Sequence, residues 1–157
     1  MAKVLKREEL IEKITELKKS GKRVVFANGC FDIIHVGHVR YLRGAKKAGD
    51  ILVVGINSDK SVRKLKGKGR PILSGHDRAM LVSAMEMVDY VSLFDELTAE
   101  ELLKKIKPHV HAKGKDYKKS NVPERHLIGK YIEEIAIVGD KKNHSTRDIL
   151  KDIKRKG

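Results

Sequence analysis

The chain of 157 residues carries 35 Lys and Arg against 21 Asp and Glu, a formal net charge of +14, with 40% apolar residues, no Trp and the single Cys30. That size and apolar share fit one domain whose core is filled by aliphatic side chains. No stretch approaches the ~20 apolar residues that span a bilayer, Met1-Ala2-Lys3-Val4 lacks the apolar centre of a signal peptide, and one cysteine excludes an internal disulfide, so a cytoplasmic protein with no membrane partner is expected.

The positive charge alone would suggest nucleic acid. Its lysines, however, are spread over the whole chain at helix-surface spacing, with acidic residues interleaved, as in Arg7-Glu8-Glu9 and in Glu100-Glu101 before Lys104-Lys105. Solvated faces explain most of it. Residues 63–70 (RKLKGKGR) are denser and glycine-interrupted, which suits a flexible cationic loop for phosphates. No aromatic residues interleave there to stack bases, and nucleic acid is not the expected partner.

In chain order, residues 7–19 place Leu10, Ile11, Ile14 and Leu17 on one helical face, and Gly21 ends that helix. A strand is expected at 23–28, then a helix opened by His35 and His38 and running to Lys47. The apolar run 51–56 (ILVVGI) reads as a strand buried on both faces. Asn57-Ser58-Asp59 then caps a short helix. His76 to Met87 predicts a helix with Met80, Leu81, Ala84 and Met87 inward, and Val88 to Phe94 a short strand. Thr98-Ala99-Glu100-Glu101 has the pattern of a capping box for a helix over 99–106. A strand begins at Val110 to Lys113, a short helix at Pro123, and a last strand spans Glu134 to Val138. Ser145 or Thr146 caps the final helix, 147–154. Strands alternating with helices predict an α/β fold: a Rossmann-like doubly wound parallel sheet with helices on both faces and a site at the carboxyl ends of the strands. The expected organisation is one domain over 1–157, an N-terminal helix in 1–21 preceding the core at 22–157.

The motifs follow strands and can therefore converge on one cleft. Residues 26–38 read FANGCFDIIHVGH. His35 and His38, three apart at a helix start, can share one face of its first turn. That terminus already attracts phosphate through free N–H groups and the macrodipole. Fixed donors there would stabilise charge developing on phosphoryl oxygens without a covalent intermediate. Direct metal ligation fits less well, because no third carboxylate or thiolate lies at a recognisable spacing. Gly29 and Gly37 permit close backbone approach. Asp32 could cap the helix or orient a neighbour, and Cys30 reads as small core packing. Lys64, Lys66 and Arg70 are candidate triphosphate clamps. Arg78, a cation in a helix's first turn, opposes the dipole and implies an anionic partner such as an acceptor phosphate. Lys113-Gly114-Lys115-Asp116-Tyr117 and Ser145-Thr146 add a turn and a helix N-terminus as further phosphate seats. His76, His109, His111 and His126 receive no role, and His144 reads as incidental.

These residues resemble the signature of the HxGH nucleotidyltransferase superfamily. The resemblance runs from Lys22 through GCFDIIHVGHVRYLRGAKKAGDILVVGINSD, KLKGKGRP, DRAMLVSAMEMVDYV, KGKDY and HST. Within it, the chain is most similar to the adenylyltransferases that act on D-glycero-β-D-manno-heptose 1-phosphate, giving ADP-heptose and pyrophosphate for lipopolysaccharide precursors. The resemblance implies ATP and a sugar 1-phosphate as partners, Mg2+ carried by the triphosphate, and a homodimer. In many bacteria such a domain follows a sugar kinase, and here any kinase is expected on a separate chain. The implied catalytic residues are His35, His38 and Lys66. The implied nucleotide contacts are Asn28, Gly29, Phe31, Gly37, Lys64, Lys113, Gly114, Ser145 and Thr146. The acceptor or ribose would meet Asp32, Asn57, Asp59, Arg78 and Asp116. Similar cytidylyltransferases acting on glycerol 3-phosphate are the alternative. They carry an arginine-led RTxGISTT run where Asp140 to Arg147 stands, and a Gly-Asp-Asp-Trp type where this chain has Lys-Gly-x-Asp-Tyr, so both features favour ATP. Lys115, where glycine is common, and Arg147, where a second threonine is usual, depart from the heptose pattern.

Overall fold

A computed structural model describes residues 1–140 and 145–157. Its centre is β2 (Val24–Gly29), flanked by β3 (Ile51–Asn57) on one side and β5 (Val110–Gly114) on the other. Beyond β3 lie β4 (Tyr90–Phe94) and the two-residue β1 (Lys3–Val4), and beyond β5 lies β6 (Glu134–Val138), in the order β1-β4-β3-β2-β5-β6. Every pairing is parallel. Parallel strands covered on both faces need apolar side chains in both directions, and the run ILVVGI in β3 supplies them. The doubly wound α/β expectation holds.

Alternation along each strand sorts the core into two layers. Val25, Ala27, Leu52, Val54 and Ile56 face one side, where α2 (Val36–Lys46) contributes Leu42 and Ala45 and α4 (Gly75–Ser83) contributes Ala79 and Val82. Val24, Phe26 and Val53 face the other, against Leu10 and Ile14 of α1 (Arg7–Lys19) and Leu102, Leu103 and Ile106 of α5 (Glu100–Ile106). Each such aliphatic side chain, fully buried, contributes roughly 1.5–3 kcal/mol. Gly55 in β3 makes room for Phe26: a Cβ there would stand 2.7 Å from the ring's Cζ.

The chain moves from β2 outward to β3 and β4, then returns across β2 to β5 and β6. Connections therefore leave β2 and β5 in opposite directions, and the crevice outside their carboxyl ends is the binding position of an open α/β sheet. Asn28-Gly29 and Lys113-Gly114 sit at those ends.

The expected elements are present with four corrections. Helix α4 stops at Ser83 and its inward residues are Arg78, Ala79, Val82 and Ser83, while Met80, Leu81 and Ala84 are exposed. The apolar periodicity pointed to nearly the opposite face of the helix because the buried face contains an arginine. No capping box forms before α5: Ala99 is the N-cap without a side-chain bond, and Thr98 Oγ1 is 3.5 Å from the Glu100 N–H. The expected helix at Pro123 is two 3₁₀ turns, Lys119–Asn121 and Arg125–Leu127. Strand β1, too short for any periodicity, was not expected. Helix α3 (Asp59–Lys66) is capped by Ser58 and α6 (Thr146–Lys156) by Ser145, as the sequence suggested. Among the described residues no helix is long and apolar enough to cross a membrane.

Candidate active site

The carboxyl ends of β2, β3, β5 and β6, with the first turns of α2 and α6, enclose a cleft of about 730 Å3. That is the size of a nucleotide-scale ligand site. Its back wall is the loop from β2 to α2. Phe31 and Ile33 take positive φ there, 51° and 39°, a conformation that is costly for side chains with a Cβ and recurs at functional loops. The turn folds the Phe31 ring beneath Gly29, where an added Cβ would lie 3.1 Å from Cε2. The same ring is buried and tilted against the imidazole of His38, with centroids 5.2 Å apart.

The two histidines cap α2 with their rings. His35 Nδ1 accepts from the Gly37 N–H at 3.1 Å, and His38 Nδ1 accepts from the His35 N–H at 3.3 Å. An imidazole nitrogen that accepts carries no proton, so in each neutral ring the N–H sits on Nε2. The rings lie 4.0 Å apart between centroids and both line the cleft. Backbone hydrogen bonds thus hold two neighbouring N–H donors at a helix N-terminus, where the macrodipole favours an anion.

Cations dominate the rest of the wall. Arg40, Lys66, Arg70, Lys113, Lys115, Arg147 and Lys151 border the cleft, against Asp32, Asp116, Asp140 and Asp148. Some of this charge is internally matched: Arg40 pairs with Asp140 at 3.1 Å and Arg70 with Asp32 at 2.8 Å. Lys113 Nζ lies 4.5 Å from the centre of the Tyr117 ring and 4.0 Å from Glu124 Oε2. On α6, Ser145 accepts from the Asp148 N–H and donates to its carboxylate, and Thr146 Oγ1 reaches the Ile33 carbonyl at 3.4 Å. Cys30 lines the cleft, partly buried, and is not the core packing expected of it; burial pushes its thiol up, an effect that Lys66, Arg78 and Arg70 oppose.

Of the expected site residues, the structure brings His35, His38, Asn28, Gly29, Phe31, Asp32, Gly37, Lys66, Lys113, Gly114, Ser145, Thr146, Asn57 and Asp116 to this one cleft. Four expected residues stand differently, through burial, pairing or placement. Arg78 has no exposed surface; it donates to the carbonyls of Leu73, Cys30 and Asn57 and pairs with Asp59 at 2.7 Å. The anionic partner its position implied belongs to the protein, and neither Arg78 nor Asp59 forms part of the cleft wall. Asp32 neither caps α2 nor meets solvent: its carboxylate accepts from Ile72 N, Leu73 N and Arg70 Nε. Lys66 lines the cleft and Lys64 does not. The reading of residues 140–147 rests partly on Lys141, Lys142, Asn143 and His144, which lie outside the described residues.

Arg40, Tyr41 and Lys151 went unnoticed in the sequence. Tyr41 follows His38 by three residues, a same-face spacing that could have flagged it. Its hydroxyl donates to the Ala112 carbonyl at 2.7 Å, and burial raises its pKa well above the usual phenol range. Among the described residues, no three His, Cys, Asp or Glu side chains gather to hold a metal ion.

Known proteins resemble this chain in sequence and in fold. The chain is 47% identical over 151 residues to bifunctional protein HldE of Aliarcobacter butzleri, which covers 95% of the chain. It is 44% identical over 155 residues to the protein of that name from Helicobacter hepaticus, covering 98% of the chain. The chain spans 31% of the length of each. The solved structure of a lipopolysaccharide core biosynthesis protein from Thermoplasma volcanium superposes with a TM-score of 0.65 at 29% identity, covering 76% of this chain and 99% of that one. The family model described as cytidylyltransferase-like matches residues 26–152, from the middle of β2 into α6, and the chain belongs to the cytidylyltransferase-like family.

Proposed function

We propose that the chain is an adenylyltransferase that transfers AMP from ATP to D-glycero-β-D-manno-heptose 1-phosphate, releasing pyrophosphate and giving ADP-heptose for lipopolysaccharide precursor synthesis. The observation that carries this reading is the pair of backbone-held imidazoles at the N-terminus of α2, opening on a cationic cleft. The choice of a heptose phosphate over other acceptors is supported by the motif resemblance and by the lipopolysaccharide protein of similar fold.

In this mechanism an oxygen of the acceptor phosphate attacks the α-phosphorus in line. The bond from that phosphorus to the bridging oxygen breaks, and its electron pair departs with pyrophosphate. Nε2–H of His35 and His38 donates to the phosphoryl oxygens where charge grows, and Lys66 assists from the end of α3. Asn28, Gly29, Phe31 and Gly37 line the nucleotide side, with Lys113, Gly114, Ser145 and Thr146 completing it. Asn57 and Asp116 remain for the acceptor or ribose. Mg2+ would arrive on the triphosphate and neutralise its charge; the cation-rich wall suits a metal carried by substrate. We further read residues 1–157 as one catalytic unit that works in the cytoplasm as a homodimer.

Pyrophosphate release with Mg2+ and β-heptose 1-phosphate, run in parallel with ATP and CTP, tests the reaction. Release with ATP alone is expected. Release with CTP alone would move the chain to the cytidylyltransferase reaction, and silence with both would overturn the acceptor. In the active protein, His35→Ala or His38→Ala should each lower kcat by ~10²–10³, the scale of one preorganised donor, with the circular dichroism unchanged. Near-wild-type turnover in both variants would refute their roles.

A further inference from the structure

His111 lies on β5 opposite Phe26 of β2, with no exposed surface, and its ring sits 5.7 Å from the Phe26 ring. An apolar side chain would suit that layer. Instead an imidazole reaches Asn28, with His111 Nε2 3.0 Å from Asn28 Oδ1. The other ring nitrogen, Nδ1, is buried without a hydrogen-bond partner. A buried polar atom left unmatched opposes folding, so the residue's value lies in its one bond. With Oδ1 facing the ring, that bond needs the proton on Nε2 and leaves a bare lone pair at Nδ1, which is the more tolerable of the two unmatched states.

We infer that His111 is a positioning residue for the nucleotide: by holding Asn28 Oδ1 from the neighbouring strand, it turns the Nδ2 donors of Asn28 to the cleft and fixes them for an anionic or carbonyl oxygen of the substrate. A free Asn amide could present either end; a fixed one presents only donors to a triphosphate. Burial, with the nearby charge of Lys113, pushes the His111 pKa down to about 3, so the ring is neutral at working pH. His111 does not line the cleft and acts through Asn28, which does. The inference rests on the cleft being a nucleotide site.

The test is a double-mutant cycle read in equilibrium binding of Mg·ATP, with Mg·CTP in parallel, alongside urea unfolding. His111→Leu removes both the bond and the unmatched nitrogen. It should leave the urea midpoint unchanged or raised while weakening nucleotide binding about tenfold, the worth of one hydrogen bond to a charged group. His111→Gln, which can donate from a similar position, should recover most of that loss. Asn28→Ala should weaken binding by a comparable factor, and adding His111→Leu to it should cost nothing more. Additive losses, or wild-type binding by His111→Leu, would overturn the inference. Should His111→Leu not fold, His111→Gln and the imidazole ¹⁵N shifts of the wild-type protein still decide it: a neutral Nε2–H tautomer is required. A wild-type protein that binds ATP yet releases no pyrophosphate with heptose 1-phosphate would sink the acceptor assignment and leave the cycle readable. No nucleotide binding at all would overturn both.

Discussion

Arg78 illustrates how one side chain can look functional and be structural. A cation in the first turns of α4 opposes the helix dipole, and in the sequence that invited a substrate phosphate. The structure instead uses it as a fastener. One guanidinium joins the first carbonyl after β2 and the last carbonyl of β3 to the segment before α4, and closes on Asp59. Arg78→Met would leave those carbonyls dry and unmatched, at a cost on the order of 3 kcal/mol. A urea titration should register a loss of that size. Saturation with Mg·ATP should recover part of it, because the loops it joins border the cleft. A substrate-contact role predicts the reverse pattern: wild-type stability with a raised KM for the acceptor. The histidines were legible because residue type, spacing and helix start agree on one chemistry. Arg78 was not, because the sequence holds no record of which carbonyls the fold will bring to a buried cation.

At the scale of elements, the cleft depends on how loops and helices are tied to the sheet. Asp32 secures the cationic segment after α3. Burial opposes its charge, but the N–H groups of Leu73 and Ile72 and the Arg70 guanidinium outweigh that and hold its carboxyl below the usual range. A carboxylate with a depressed folded pKa stabilises at pH above its ordinary value, and that contribution is lost as pH falls through the folded value. Asp32→Asn should therefore be less stable than wild type at neutral pH, and the gap in urea midpoints should close below about pH 4. A gap independent of pH would assign the loss to packing. Helix α2 is tied differently. A Cβ on Gly44 would stand 2.9 Å from the Gly139 N and from Val138 Cβ, at the end of β6. Backbone cannot yield as a side-chain tip can, so Gly44→Ala should push α2 off β6 and displace His35 and His38. Turnover should fall by more than tenfold, the sensitivity expected if the two histidines hold the proposed catalytic positions, while secondary structure persists. The main strands and α1 were legible from apolar periodicity, which reports burial directly. The face of α4, the cap of α5 and strand β1 were not, because a buried arginine, local hydrogen-bond geometry and a two-residue pairing leave no periodic trace.

For the whole molecule, the question is where a net charge of +14 acts. Much of it lies on outer helix faces: α1, α5 and α6 all carry lysines or arginines in their last turns, where they complement the dipole. The cleft holds a separate, convergent set, and two of its arginines already have carboxylate partners. Among the described residues, Lys66 at the end of α3, Lys115, Arg147 and Lys151 are exposed cations of the cleft wall that can meet a triphosphate. Exposed charges are screened beyond ~10 Å at 0.1 M salt, so the dispersed lysines contribute a weak, long-range attraction and the cleft a short-range one. Mg·ATP affinity should then fall modestly between about 0.05 and 0.5 M salt. Lys66→Ala should lower affinity at every salt concentration and flatten that dependence. If the surface charge served nucleic acid instead, duplex affinity would fall steeply, about 10³-fold or more over a few-fold rise in salt, and would ignore Lys66, His35 and His38. Parallel titrations of Mg·ATP and a short duplex against wild type and Lys66→Ala separate the two. A nucleotide response that tracks Lys66, with no retained duplex at physiological salt, is the outcome that the cleft's geometry requires.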